Sequence, residues 1–534
     1  MGTRKGTPQT LEVGVLPAPI GGIDGSLNFA SNNPMNCVYA YNILPSEFGL
    51  RTRLGWREYV TGCEFTPSAG LGVRSLIPYT GTGAFGDRLF AVTNEGIWDA
   101  TSPTQTPTRV FTFPSTISRA GFGTFAHYTT AAGAELLLFA DEENGLHQYD
   151  PPTNTWTLAT GITGVPIIDI VFVVVHKLRI WFIERDTTSA YYLPVASISG
   201  AATEFTFGSK FRHGGDLVGL YNWTIDGGDG VDDYLVAVSR SGDVIPFQGE
   251  DPSAAATWRS VGTFFVGEMA VGRRCGGENG GDLFLVCEFG LVTLSELLRG
   301  NIVTPQRGTM NGKIARFLRA DFLDFKADEG WEFRVNPIEG SIIITTPQRL
   351  NGEFIQYVYN LAVEGWGQWR GVPSLTMETW TGAMMIGTAD GRVLRMDVSV
   401  DNSNFDDTVG APVEFSMLQN FLDGGAPGIF KYPKFTRPNF LSAQPVGVTT
   451  KFLYDYDINT LLAAALTPQP DSTNVWDTGT WDDAVWQTAA LGNQTVTRGA
   501  VGAGRTVAVA MRGLARTRTT LLSTDVMYIR AGPF

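Results

Sequence analysis

The feature that most constrains this chain is a repeated hairpin: an apolar strand, a polar turn usually carrying Gly or Asp, and a second apolar strand. Seven copies can be read: RLFAVTNEGIWDA from Arg88, ELLLFADEENGLHQYD from Glu135, KLRIWFIERDTTSAYYL from Lys177, DYLVAVSRSGDVIPF from Asp233, DLFLVCEFGLVTL from Asp282, SIIITTPQRLNGEFIQYVY from Ser341 and AMMIGTADGRVLRM from Ala383. With Leu89, Leu136, Leu178, Leu235, Leu283, Ile342 and Met384 as equivalent anchors, the spacings are 47, 42, 57, 48, 59 and 42 residues. Four-stranded propeller blades recur at about 40–50 residues, so each hairpin is expected to be the two best-buried strands of one blade. A lone hairpin cannot bury both faces, whereas radial stacking covers each sheet with its neighbours and leaves only short protected edges. The expected fold is all-β: a β-propeller of seven blades over residues 68–400, with six or eight also within the usual range.

Two regions lie outside the array. Residues 1–67 are turn-rich, and residues 413–534 hold strand-like runs such as TKFLYDYD, RTVAVAMRGLA and STDVMYIRA. The second region reads as an additional β-rich domain helped by N-terminal strands; the first either joins it or closes the propeller. The polar stretch VDNSNFDDTVGAP, residues 400–412, has the composition of a boundary. The 63 glycines and 28 prolines fall between short apolar runs, which makes helix a minority element.

Charge narrows the function classes. Lys and Arg sum to 39 against 53 Asp and Glu, a formal net charge of -14 with no basic stretch to offset it, so tight wrapping of nucleic acid is not expected. Such a balance is compatible with a channel through which DNA slides without sticking, because like charge repels phosphate. Cys37, Cys63, Cys275 and Cys287 are too few for a disulfide framework and read as buried thiols. The opening MGTRKGTPQTLEVG has no apolar stretch after its basic residues, so no secretory signal is expected. The most apolar segment, residues 167–183, is interrupted by Asp169, His176, Lys177 and Arg179, and reads as two buried strands rather than a membrane anchor.

Few residues carry a recognisable chemical signature. His127, His147, His176 and His213 are too far apart in sequence for a zinc pair and read as core or surface residues. Neither a Gly-x-Ser-x-Gly elbow nor a phosphate-binding Gly-x-x-x-x-Gly-Lys loop occurs. The loop at 226–233, with Asp226, Asp229, Asp232 and Asp233, matches one copy of a calcium-binding nonapeptide. A single copy lacks the neighbouring turns that complete such a site, so a solvated loop that could hold a cation loosely is the plainer reading. Glu142 with Glu143, and Asp482 with Asp483, could be cast as glycosidase carboxylates, but read as exposed acids. Three tryptophans within residues 474–486 suggest either sugar stacking or, more simply, a subunit contact. YDPPTNTWTLAT, residues 149–160, looks like the end of a kelch repeat but occurs once. No catalytic, cofactor-binding or metal-binding residue is assigned, no cofactor is expected, and the chain reads as a non-enzyme.

Residues 21–62, GGIDGSLNFASNNPMNCVYAYNILPSEFGLRTRLGWREYVTG, resemble the opening of the tail nozzle (tail tubular protein B-like, packaged-DNA stabilisation) proteins of short-tailed bacteriophages, with the Gly-Leu-Arg-x-Arg-x-Gly turn at Gly49, Leu50, Arg51, Arg53 and Gly55. The ending GAGRTVAVAMRGLARTRTTLLSTDVMYIRAG, residues 502–532, is similar to the last strands of those proteins. The resemblance covers both ends and reaches the middle only as a repeat pattern. It implies a ring of six subunits in the virion tail, below the portal and adaptor, assembled in the host cytoplasm and lining a channel for genomic DNA. The implied partners are further copies, the tail adaptor, and fibres or spikes, with no membrane anchor. Two other functions remain open: a propeller module that binds host-surface glycans or adapts a tail fibre, and a propeller hydrolase, for which fold analogy alone is weak warrant.

Overall fold

The computed structural model describes residues 11–26, 33–63, 72–81, 85–117, 119–130, 133, 135–226, 231–254, 256–300, 310–405, 410–458 and 492–530. Strand makes up 53% and helix 5%, so the chain is all-β, as its patterning implies. It forms two compact units, one of Met1–Arg57, Tyr357–Arg370 and Asp397–Phe534, the other of Glu58–Gln356 and Gly371–Met396.

The second unit is a β-propeller. Its first blade orders Ser75–Tyr79, Arg88–Thr93, Gly96–Asp99 and Arg109–Thr112; its second, Gly123–Thr129, Glu135–Asp141, Gly145–Asp150 and Thr155–Leu158. The third comprises Ile170–His176, Arg179–Glu184, Ser189–Tyr192 and Thr203–Thr206. The fourth has Leu217–Asp226, Val231–Ser239, Asp243–Gln248 and Arg259–Ser260, and the fifth Gly276–Asn279, Asp282–Cys287 and Gly290–Thr293. The last in sequence orders Thr376–Trp380, Ala383–Gly387 and Val393–Val398, and takes its outer strand, Gly55–Val60, from before the first blade.

The small sheets number six, not the seven expected from the hairpin count. The hairpin around Ile342, Glu332–Asn336 against Ser341–Thr345, does not make a separate small sheet. Its first strand nevertheless lies between Gly276–Asn279 and Thr376–Trp380, so the ring of first strands is continuous.

Alternation explains the closure. In Glu135–Asp141, Leu137 and Phe139 pack with Phe90, Val92 and Ile97 of the first blade, whereas Leu138 and Ala140 pack with Ile170, Val173 and Phe182 of the third. Both faces are buried, which is why this strand reads as an unbroken apolar run. The same device joins the ends: Trp380, Met385 and Val393 share a cluster with Leu76, Leu89 and Trp98, and Tyr59 and Val60 complete it.

Two local features depart from the sequence reading. Leu178, taken as an anchor, is 63% exposed in a tight turn where Lys177 and Leu178 have φ of 46° and 59°. The buried residue at that level is Ile180. Among the described residues the fifth blade has three strands, and an unanticipated helix, Met310–Phe325, packs against the third. Ile314, Leu318 and Phe322 form its buried stripe. Asn311 Oδ1 accepts from Leu291 N at 3.1 Å and its Nδ2 donates to Phe289 O at 3.1 Å, so one side chain occupies the hydrogen-bonding edge that a fourth strand would take.

The first unit is the additional β domain. One sheet runs Ile43–Ser46, Gly49–Thr52, Thr520–Arg530, Lys431–Ser442 and Gly492–Thr495, with Leu11–Pro17 also paired to Thr520–Arg530. The other contains Gly365–Arg370, Gly22–Ile23, Asn36–Tyr41, Ala411–Gln419, Val507–Ala515 and Gly447–Tyr454. Phe415 and Phe440 meet between the sheets, ring centres 6.1 Å apart. At its heart is Arg53, whose two terminal nitrogens each lie 2.6 Å from an oxygen of Asp401 and whose Nε donates to Asn42 Oδ1 at 3.0 Å. Asn42, at φ 58°, in turn donates to the carbonyls of Arg370 and Glu414. The flanking glycines are obligatory by contact: a Cβ at Gly49 would stand 2.1 Å from Leu521 O, and one at Gly55 1.9 Å from Val400 O. Arg53 is 3% exposed, and a buried charge stripped of its partner costs about 3–5 kcal/mol. Asp401→Ala is therefore expected to lower unfolding free energy by about 3 kcal/mol in a denaturant titration; an unchanged midpoint would remove Arg53 from the centre of this domain.

Candidate functional site

The turns between second and third strands, and the segments that lead into first strands, meet at one end of the propeller. Glu142 N donates to Phe122 O, Arg185 N to Asp169 O and Arg240 N to Asp216 O, each at 2.8 Å, a repeated tie between the two kinds of segment. Side chains from these positions build a charged hub. Arg119 Nε is 3.4 Å from Glu329 Oε1, and Arg240 Nη2 is 3.3 Å from Asp216 Oδ2. Arg274 Nη1 lies 3.1 Å from Glu332 Oε1, to which Arg334 Nε also donates at 3.1 Å; Arg334 Nη1 is 2.9 Å from Glu378 Oε2. The guanidinium groups of Arg74 and Arg274 both stack on Phe122, at 5.2 and 5.4 Å.

Glu142, read from sequence as an exposed acid, is 5% exposed. Burial pushes its carboxyl pKa up, opposed by Arg273, Arg274, Arg119 and Arg240. Its neighbour Glu143 pairs with Arg185 at 3.3 Å, so the two are held by different partners. Burial, reinforced by Glu142, raises Glu329 to about 7. Burial raises Asp141 to about 6 although it accepts from Gly121 N at 2.6 Å and Asn144 N at 2.7 Å. Sequence could not signal this hub, because its members come from five blades.

Beside the hub is a cavity of about 210 Å³, with walls from the first strands of successive blades: Phe125, Phe172, Tyr221, Arg273, Arg274 and Phe333 among them. It lies wholly within the propeller unit.

The other residues singled out from sequence are scattered. His147 is buried with Nδ1 3.0 Å from Gly145 O, and His176 Nδ1 is 2.8 Å from Asn222 Oδ1. His213 Nδ1 is 2.7 Å from Asp243 Oδ1 and the ring rests on Phe265. His127 stacks loosely on Tyr79. Among the described residues no group of three or more His, Cys, Asp or Glu is placed to hold a metal. All four cysteines are buried, and burial lifts the Cys275 and Cys287 thiols to about 12. Residues 167–183 contain the strands Ile170–His176 and Arg179–Glu184, and no described helix is long and apolar enough to cross a membrane. Asp229, the side chains of Asp226 and Asp232, and residues 474–486 with Asp482 and Asp483 lie outside the described residues.

No protein-family model matches the chain, and no curated protein does. Among solved structures 453 chains match. One is a crystal structure of the computationally designed Ika8 protein, 7% identical, with a TM-score of 0.36, covering 64% of this chain and 100% of that one. A likeness at that score carries no argument, and the propeller is established by strand pairing and packing.

Asp141 and Glu329 are harder to ionise folded than unfolded, so the folded chain holds more protons over the interval between. Their stabilising contribution is complete below about pH 4 and is lost as pH rises through about 6 for Asp141 and about 7 for Glu329. Melting temperature is thus expected to carry a falling component from about pH 4 to pH 8 that Glu329→Gln flattens. An identical profile in the variant would show that Glu329 ionises normally.

Proposed function

We propose that this protein is a structural subunit of the tail nozzle of a short-tailed bacteriophage. In this reading six copies form a ring below the portal and adaptor, line the DNA channel, retain the packaged genome and let it leave. Its place is the virion tail; its partners are its own copies, the tail adaptor, fibres or spikes, and DNA that passes without sequence-specific binding. It performs no catalysis.

The observation that carries this reading is the meeting of the two terminal blocks. Residues 21–62 and 502–532, far apart in sequence, each resemble nozzle proteins. Strands from the two blocks, Gly49–Thr52 and Thr520–Arg530, pair within one unit, with Arg51 opposite Thr520 and Leu50 opposite Leu521. The Gly-Leu-Arg-x-Arg-x-Gly turn supplies the buried centre of that unit through Leu50 and Arg53. The turn is thus a folding requirement of the domain.

Assembly finds support at the sheet edge. Among the described residues Leu11–Pro17 pairs only with Thr520–Arg530, and it exposes Leu11, Val13 and Val15 by 46%, 61% and 63%. An apolar edge strand left bare invites pairing with another chain, and a ring contact is one way to cover it. The formal charge of -14 per chain disfavours strong phosphate binding in a bore through which DNA passes.

Electron microscopy of the recombinant full chain and of tailed particles tests the reading. A closed ring with a central bore is expected, and the double change Val13→Asp with Val15→Asp is expected to reduce it to single subunits on a sizing column. A wild-type chain that stays monomeric, and particles without it around the DNA path, would overturn the proposal.

A further inference from the structure

The apolar edge strand Leu11–Pro17 is one end of a larger surface. Strand register fixes what shares a face. Leu11 lies opposite Ile529 and Val13 opposite Met527, while from the other side Tyr432 lies opposite Ile529 and Phe435 opposite Met527. Directly opposed residues of an antiparallel pair point to the same side of the sheet, so three adjacent strands, Leu11–Pro17, Thr520–Arg530 and Lys431–Ser442, turn these side chains to one face. The other face is the buried one, holding Val526, Thr436 and Phe440, the last against Phe415.

Phe435 is 45% exposed, and Tyr432, Met527 and Ile529 are half-buried. Together with Leu11, Val13 and Val15 they leave open an apolar area on the order of 400 Å², the size at which a patch on a soluble chain marks a contact site. A stable contact buries about 800 Å² on each partner, roughly half of it apolar, so this patch is large enough to be the core of one. The end of the face beyond it is polar. Asn439 Nδ2 donates to Ser523 Oγ at 2.9 Å, and Arg437 donates to Asp525 Oδ2 from Nε at 2.9 Å and from Nη2 at 2.6 Å. With Arg437 and Asp525 paired, that end can be covered without stranding a charge.

Charge selects what covers it. The propeller unit holds 23 Lys and Arg against 36 Asp and Glu, or -13, whereas the β domain holds 16 against 17, or -1. Copies therefore repel one another through their propellers and meet without that cost through their β domains, where this face lies. A basic partner would be drawn to the propeller instead.

We propose that this face is where a second copy of the chain docks, β domain against β domain, with Phe435 and Met527 at the centre of the contact and Arg437, Asn439 and Asp525 at its rim. The inference rests on the ring reading for the identity of the partner. In a closed ring the covering surface is a different part of the next copy's β domain.

Thiol labelling of the full-length chain is the test. All four native cysteines are buried, so a thiol introduced by Phe435→Cys reacts selectively with a maleimide. Labelling is expected to be fast in nanomolar protein and to slow through the concentrations at which sedimentation shows assembly. Leu178→Cys, on an exposed turn of the propeller, is expected to label fast throughout. Phe435→Glu is expected to weaken assembly by about tenfold or more, with the melting temperature of the dilute chain unchanged. A folded Phe435→Cys chain that no longer assembles supports the inference in the same way. Fast labelling of assembled Phe435→Cys chains, or full assembly of a folded Phe435→Glu chain, would overturn this inference and leave the ring standing. Slow labelling at every concentration would mean that a segment of the same chain covers the face, and would overturn it too. A wild-type chain that is monomeric at every concentration would overturn the ring reading along with it.

Discussion

Everything in the propeller depends on one packing constraint: each blade must lend both of its faces to its neighbours. A strand such as Glu135–Asp141 sends alternate residues into different wedge-shaped cores, and each buried Leu or Phe is worth about 1.5–3 kcal/mol over its exposed state. Removing a neighbour would bare one whole face, so an open array is costly at both ends. The chain solves this by placing Tyr59 and Val60, which precede the first blade, in the same cluster as Trp380 and Met385 near the last. Closure is thus a consequence of two-faced strands.

The same geometry gathers charge. First strands begin close to the axis, and polar residues that would be solvated on an isolated sheet are drawn together there. Arg274, Glu332 and Arg334 survive burial because each charge is met by another and by backbone or hydroxyl groups, as Glu332 is by Met377 N at 2.9 Å and Thr376 Oγ1 at 3.1 Å. Such pairs do little for net stability, since desolvation offsets attraction. Their effect is to fix the angular position of the blades that carry them.

Much of the fold was legible because blade strands bury both faces and therefore write unbroken apolar runs. The β domain of N- and C-terminal strands was legible from partly apolar runs such as those now in Val507–Ala515 and Thr520–Arg530. What was not legible has physical causes. Leu178 looked like a core anchor because composition does not show that Lys177 and Leu178 take positive φ in a two-residue turn. The long spacing between Leu283 and Ile342 hid Met310–Phe325, a helix that stands where a strand would be. Seven hairpins give six small sheets because a hairpin records two strands without telling whether they complete a separate sheet. Glu142 was read as exposed because an acid in a turn usually is; only the arrangement of several blades turns that position inward. The hub and its cavity leave no local signature, since their residues lie between positions 74 and 378 with no motif linking them.

The central claim, a wheel closed by a strand from before its first blade, is tested most directly by native-state hydrogen exchange. If the account holds, amides of Tyr59 and Val60 and of the strand Val393–Val398 beside them become protected together and exchange with the same opening free energy as the first-blade strand Arg88–Thr93. Fast exchange of Tyr59 and Val60 while that blade stays protected would mean that the ring is held shut by something else, and would contradict the account.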